Sequence, residues 1–302
     1  MIFFYYNMVG GNSLTNKWKL VIAGLIILLS ACSQNTPSSE KNGHKESPKA
    51  ELPNIDHILI VVEENHSKKQ IAGNSSAPYM NSLMKQGANF TNYHALEHPS
   101  QPNYLEIFSG SNQGVTNNKV PDSKFRTDNL ASELIEKGYS FKGYSEAQPS
   151  VGYDEEYADN GYVRRHNPWT NFTNVPKEAN QPLKNFPEDF SKLPTVSFVI
   201  PSVDNDMHDG SVKEADQWLK NHIDPYLQWA KTHNSLLIVT WDEDEGSNKN
   251  IIPTFFVGPM VKTGQYNQKV SHYNLLRTIE DIYELPHAGK AKTSKPITNV
   301  WH

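Results

Sequence analysis

Apolar residues along this chain come in short unbroken runs, and each run closes on acids or amides. Residues 57–62 read His-Ile-Leu-Ile-Val-Val and stop at Glu63, Glu64 and Asn65. Residues 195–200 are followed by Asp204 and Asp206, and residues 236–240 lead into Trp241, Asp242 and Glu243. Runs without polar alternation are what strands covered on both faces require, as in a parallel sheet. Weaker runs at 139–144 and 251–257 predict further strands. Between the runs the period changes. Ala215, Trp218, Leu219, His222, Ile223, Tyr226, Leu227 and Ala230 share one helical face, and Pro225 is expected to kink that helix. Leu275, Leu276, Ile279, Ile282 and Tyr283 repeat the spacing after Ser271, as Leu130, Leu134 and Ile135 do after Asp128. Strands alternating with helices predict an α/β fold: a doubly wound, mostly parallel sheet flanked by helices, with ligands beyond the carboxyl ends of its strands. Residues 146–194, rich in Tyr, Asn, Pro and Asp and lacking periodicity, read as a loop-rich functional insertion.

The first fifty residues follow other rules. Lys17 and Lys19 precede an apolar run over residues 20–29, which leads into Leu29-Ser30-Ala31-Cys32 and then polar sequence. About 18 apolar residues are needed to cross a bilayer, so this run reads as a signal-peptide core over residues 1–31. The tetrad resembles the lipobox of bacterial lipoproteins, which implies acylation of Cys32, the only cysteine of the 302-residue chain. Residues 32–52 are expected to be a flexible tether. The protein is therefore expected in a bacterial cell envelope, exported and held to a membrane by the lipid on Cys32. A single cysteine excludes an intrachain disulfide framework. With 28 basic and 33 acidic side chains and no basic stripe, nucleic-acid binding is not expected.

Acids at three strand ends of such a sheet converge on one crevice, where their mutual repulsion is relieved by a divalent cation. The run Asp242-Glu243-Asp244-Glu245 also reads as a solvated turn, so not every acid there is a ligand. A second constellation covers residues 94–110. Pro102 near a helix start, apolar Leu105 and Phe108, and Gly110 as terminator describe a short helix with Ser100 at or near its N-cap. Serine there is an ordinary cap; beside a cation and unpaired helix N–H groups it is also a candidate nucleophile. His98, His166, His208 and His272 lie in polar contexts suited to anion binding and proton transfer, whereas His222 and His233 belong to the amphipathic helix.

Six segments in order, ILIVVEENH (58–66), HPSQPNY (98–104), HNPW (166–169), DMHDG (206–210), VTWDEDEG (239–246) and SHYNLLRTIEDIY (271–283), together resemble the bacterial phosphoesterase family. That family holds acid phosphatases and phosphatidylcholine-type phospholipases C and is related to the alkaline phosphatase superfamily. The resemblance implies a phosphoesterase catalytic domain over residues 53–302. It implies metal ligands at Glu64, Asn65, Asp242 and Glu243, although the family often has a second aspartate where Glu243 stands. It implies that Ser100 is both nucleophile and metal ligand. His98, Asn103 and His166 are implied to bind the phosphate ester, and His208 or His272 to act as general acid, with His208 preferred. Arg164 and Arg165 beside His166 are candidates for a second anionic group of the substrate or for simple exposed charge.

The compact length is similar to that of the small acid phosphatases, including those acting on phosphoinositides, because the family's phospholipases C tend to carry further C-terminal domains. The expected activity is metal-dependent hydrolysis of phosphate monoesters through a phosphoserine. A phospholipase C-type phosphodiesterase is the alternative within the family, and a non-catalytic solute-binding lipoprotein is the alternative outside it.

Overall fold

The computed structural model describes residues 52–302 except Asn248. The signal, Cys32 and all but the last residue of the tether lie outside the described residues. Eight strands form one sheet: β1 (His57–Glu63), β2 (Ala88–Phe90), β3 (Phe141–Ser145), β4 (Asn180–Pro182), β5 (Val196–Ile200), β6 (Ser235–Trp241), β7 (Thr254–Val257) and β8 (Gly264–Tyr266). Their order across the sheet is β8-β2-β7-β6-β1-β5-β3-β4. Only β7 is reversed, pairing antiparallel with both neighbours while all other pairs are parallel. The mostly parallel, doubly wound expectation holds. The three strong apolar runs are β1, β5 and β6, adjacent at the sheet's centre. Every residue of β5 and β6 is buried, which is why these runs carry no polar alternation.

Two groups of helices cover the sheet. α1 (Pro78–Gln86) packs on α4 (Val212–Ala230), and α2 (Ser100–Ser109) packs on α3 (Leu130–Glu136) and α5 (His272–Ile282). The caps explain most of the boundaries. Ser211 accepts from Glu214 N while the Glu214 carboxylate accepts from Ser211 N, closing a capping box at α4. Asn129, one residue after the predicted Asp128, caps α3 by accepting from Ser132 N. α4 runs unbroken through Pro225, which lacks the N–H that would have bonded Asn221. Gly110 ends α2 at φ 67°, and a Cβ there would lie 2.3 Å from the Ala288 carbonyl oxygen.

The 146–194 segment is loop-rich as expected, and it is also part of the core. It supplies edge strand β4 and inserts Trp169 and Phe172 among Phe108, Phe141 and Phe198. Gly143 in β3 makes room: a Cβ there would stand 2.1 Å from the Trp169 ring. Three strands and one helix had no clear sequence signal. β2, β4 and β8 are three residues each, too short for a period, and α1 is a nine-residue helix whose apolar face is carried by only Met80, Leu83 and Met84.

Candidate active site

Sheet register assembles the site. β1 pairs with β6 so that Glu63 stands opposite Trp241, and one residue further along Glu64 and Asp242 emerge side by side beyond the carboxyl ends of the strands. The backbone joins them there: Asp242 N donates to Glu63 O at 3.0 Å, and Glu64 N donates to Asp206 O at 2.9 Å. Asn65 turns the chain at φ 50°, a left-handed conformation that asparagine tolerates, and its N–H donates to Asp242 Oδ1 at 3.3 Å.

Ser100 is the first residue of α2 and is buried at 1% exposure. Its Oγ lies 3.1 Å from Glu64 Oε2 and 3.0 Å from Glu243 Oε1. One hydroxyl proton thus faces two carboxylates and cannot fully satisfy both. The Asn65 amide completes the group, its terminus 3.2 Å from Glu64 Oε2 and 3.1 Å from Glu243 Oε1. With the nitrogen inward it donates to both carboxylates; with the oxygen inward it joins them as a further oxygen donor. Glu64, Asn65, Ser100 and Glu243, four of the five residues expected to hold a cation, therefore meet at one point, with Asp242 alongside.

Asp206 and His166 extend this cluster. His166 Nε2 lies 3.0 Å from Glu64 Oε1, and its Nδ1 lies 3.4 Å from Asp206 Oδ2. These distances are short, yet none of the four atoms has hydrogen-bonding geometry toward any partner, and Asp242 Oδ2 is likewise unpartnered. Glu64, His166 and Asp206 present ligand atoms within 4.8 Å of one another, all buried. Unsatisfied buried carboxylates are costly. Burial, followed by the neighbouring carboxylates Asp206 for Glu64 and Glu64 for Asp242, pushes both acids well above their ordinary range. Asp206 rises chiefly through burial as well. Orphaned oxygen atoms, a mainly oxygen donor set and one imidazole fit a hard or borderline divalent cation. His166 is pushed well below its usual range, first by burial and then by Arg165 and His208, so it is neutral, as a ligand must be. Tyr104, one turn along α2 from Ser100, fixes the His166 ring by stacking at 4.9 Å and 13°.

The remaining expected residues divide into those at the mouth of the site and those behind it. His208 is at the mouth, with Nδ1 2.7 Å from Asp209 Oδ1 and Nε2 3.3 Å from Arg165 Nη2. His98 stands behind Glu243, Nδ1 to Oε2 at 2.6 Å, and orients that carboxylate. His272 is fully buried, its Nε2 2.9 Å from the Asp242 carbonyl oxygen and its Nδ1 3.3 Å from the Tyr93 hydroxyl. Sealed in the core with both ring nitrogens engaged, it holds the Asp242 segment and cannot turn to a leaving oxygen, whereas the His208 side chain is partly exposed. Asn103 shapes the preceding loop. Its Oδ1 accepts from Leu96 N and Glu97 N, and its Nδ2 donates to Glu97 O and Pro99 O, which uses its full capacity in place of a phosphate contact. The α2 N-terminus offers less than expected, since Gln101 N is taken by Asn118 Oδ1 and Pro102 has no N–H. Arg164 is not exposed charge; it is buried against Asp154 O, Thr170 and Asn171. Asp206 was visible in sequence as an acid after β5 but not singled out as a ligand, and Tyr93 and Tyr104 gave no signal beyond apolar bulk.

Comparison with known proteins agrees with this geometry. The profile described as the Phosphoesterase family matches residues 73–286. A protein named Phosphatidylinositol-3-phosphatase from Mycobacterium tuberculosis is 50% identical over 83% of this chain and 84% of its own length. A probable acid phosphatase of Kluyveromyces lactis is 32% identical over 77% of this chain, and a phosphate-repressible acid phosphatase of Penicillium chrysogenum is 31% identical over 79%. The aligned region is 59% of the length of each of these two fungal proteins. Among solved structures, an alkaline phosphatase superfamily protein from Vibrio parahaemolyticus superposes with a TM-score of 0.60 at 15% identity, over 82% of this chain and 72% of that one. With family profile, relatives, fold and a cation-ready cluster around a serine in agreement, the chain belongs to the phosphoesterase family and is a phosphatase.

Proposed function

We propose that the chain hydrolyses phosphate monoesters by way of a phosphoserine at Ser100, that phosphoinositides are among its substrates, and that it works at a membrane to which Cys32 is lipid-anchored in the bacterial cell envelope. The observation that carries the catalytic part is the Ser100 hydroxyl held within 3.1 Å of both Glu64 and Glu243. The name of the mycobacterial relative supports the substrate, and the lipobox-like tetrad at Cys32 supports the anchor.

A divalent cation held by Glu64, Asn65, Ser100, Asp242 and Glu243, with Asp206 and His166 beside them, supplies positive charge that acidifies the serine hydroxyl and offsets charge on the phosphoryl oxygens. Ser100 Oγ gives its proton to Glu243 Oε1, 3.0 Å away, and attacks phosphorus in line; the bond from phosphorus to the ester oxygen breaks, and the leaving oxygen takes a proton from His208 at the mouth. Asp209, 2.7 Å from His208 Nδ1, holds the ring, and Nε2, 3.3 Å from Arg165 Nη2 in the free site, turns from that guanidinium to the leaving oxygen when substrate is bound. Water, giving its proton to His208, then attacks the phosphoserine; the bond from phosphorus to Ser100 Oγ breaks, Oγ takes its proton back from Glu243, and inorganic phosphate is released. Arg165, which has no carboxylate partner within ion-pair distance among the described residues, is placed to share the charge of the phosphoryl group.

The test is a phosphate-release panel over p-nitrophenyl phosphate, its diester, phosphatidylcholine and phosphatidylinositol 3-phosphate, with and without chelator, for the wild type and Ser100→Ala. The expected result is preference for monoesters, loss of activity on metal removal, and a fall in kcat of about a thousandfold or more for Ser100→Ala. Preference for a diester would transfer the chain to the phospholipase C type. Stoichiometric binding without turnover, indifferent to Ser100→Ala, would make it a solute-binding lipoprotein.

A further inference from the structure

A groove of about 760 Å³ opens beside the catalytic centre, lined by residues that include Lys68, Lys69, Ala72, Thr91, Lys249 and Ile251. Its walls follow β1 and β2, follow β6 and precede the reversed β7, so it lies on the same rim of the sheet as Ser100. The groove shares residues with the edge of the site. His98 Nε2 is 3.5 Å from Asp244 Oδ1 and 3.4 Å from Ser247 O, both at the groove, while its Nδ1 holds Glu243, which holds Ser100. Three successive contacts therefore lead from the nucleophile to the groove.

Three lysines against two acids, Asp244 and Glu245, leave the groove a formal charge of +1, and none of the three lysines is ion-paired among the described residues. The lysines that form ion pairs among the described residues are Lys124 and Lys192; Lys68, Lys69 and Lys249 form none. Lys68 Nζ donates to Asn89 Oδ1 at 2.7 Å and to Phe90 O at 3.0 Å, both uncharged acceptors, leaving one N–H. Burial alone pushes its pKa down to about 8, with no carboxylate near enough to oppose it. The two acids at the groove are turned to donors of their own. Asp244 accepts from Gly246 N, Ser247 N and Ser247 Oγ, and Glu245 accepts from Ser67 N and Ser67 Oγ. Ala72, Ile251 and the lysine stems give the groove an apolar lining beneath the charges.

We propose that this groove is a second-anion subsite that binds the phosphodiester of a phosphoinositide lipid while its phosphomonoester lies at Ser100. Lys68, Lys69 and Lys249 bind the diester oxygens, and the apolar lining receives the start of the glycerol and acyl chains. The inference rests on the phosphoinositide reading above and adds to it the residues that select such a substrate over a simple monoester.

The experiment compares kcat/KM for dioctanoyl phosphatidylinositol 3-phosphate, inositol 1,3-bisphosphate and p-nitrophenyl phosphate, read as inorganic phosphate. The enzymes are metal-loaded wild type, the Lys69→Glu/Lys249→Glu double variant and Lys68→Gln. Lys69 and Lys249 are exposed, so the double variant keeps the fold, which its thermal transition checks. The expected result is a loss of about tenfold to a hundredfold on the lipid and on the bisphosphate, carried by KM, with p-nitrophenyl phosphate unchanged. Unchanged turnover of the lipid overturns the proposal, as does an equal loss on p-nitrophenyl phosphate. Loss on the lipid without loss on the bisphosphate also overturns it, in favour of apolar contact alone. If wild type hydrolyses p-nitrophenyl phosphate but not the lipid, the phosphoinositide reading itself fails, and that failure shows in wild type before any variant is compared.

Discussion

His272 and His208 show how position, more than residue type, assigns a role. Both are histidines in polar sequence, and both were candidates to protonate a leaving group. The structure buries His272 between the Tyr93 hydroxyl and the Asp242 carbonyl oxygen, and burial pushes it down to about 4. It is therefore neutral across the working range, and its two nitrogens are engaged with groups that shape the Asp242 segment. Outer partners of this kind typically cost about 10- to 100-fold in metal affinity or activity when lost. His272→Ala is expected to lower activity by that factor and to weaken the affinity for added cation, leaving the form of the pH–rate profile unchanged. Disappearance of the limb that reports the general acid would return His272 to that role. Asp206 teaches the complementary lesson. As one acid among several after a strand it is unremarkable in sequence, yet with Glu64 and His166 it forms a buried set of orphaned ligand atoms. What sets it apart is that burial denies it water, and burial is not written in its neighbours along the chain.

At the scale of elements, the packing of α3 on α5 contains a feature independent of the chemistry. Glu133 of α3 and Glu280 of α5 are buried facing one another. Burial first, with repulsion from Glu280, pushes Glu133 up to about 9; burial chiefly pushes Glu280 up to about 8. Each value lies above the ordinary 4.5 of the unfolded chain. The folded state therefore holds more protons, and the stability these groups contribute is present below about 4.5 and is lost as pH rises through 8 to 9. Glu133→Gln removes one of the two charges, so its melting temperature is expected to exceed that of wild type by about 5 °C at pH 9, with little difference at pH 5. Calorimetry at the two pH values decides it, and a constant difference would refute the ionisation argument. The helices themselves were legible because Leu130, Leu134 and Ile135 after Asp128, and Leu275, Leu276, Ile279 and Ile282 after Ser271, carry the helical period over a few neighbours. The pairing of Glu133 with Glu280 was not, since it depends on two helices separated by nearly half of the chain.

At the scale of the molecule, one sheet gathers Glu64, Asp206 and Asp242 beyond its strand ends, with Ser100 at a helix tip among them. Without a cation, burial and mutual repulsion raise Glu64, Asp206 and Asp242 well above their ordinary values of 4.5, 3.8 and 3.8. The chelated protein is expected to lose thermal stability as pH rises from about 5 toward 8, because the folded state must then give up protons that the unfolded chain has already released. A saturating divalent cation should oppose that loss, since it requires the deprotonated ligands and binds only the folded site; a concentration of about 100 Kd contributes about 2.7 kcal/mol. Melting curves that coincide with and without cation at pH 8 would contradict the site. The sequence by itself determined the class of fold, the central strands, most of the helices and the type of chemistry. Those follow from hydrophobic period, caps and residue types, all of which act over a few neighbours. Only the tertiary structure decided which acids lie close enough to share a cation, which histidine is sealed in the core and which is partly exposed, and that three lysines line a groove on the same rim of the sheet as the serine. Those outcomes depend on strand order and on the register that sets Glu63 opposite Trp241, and cooperative packing of the whole chain fixes that register.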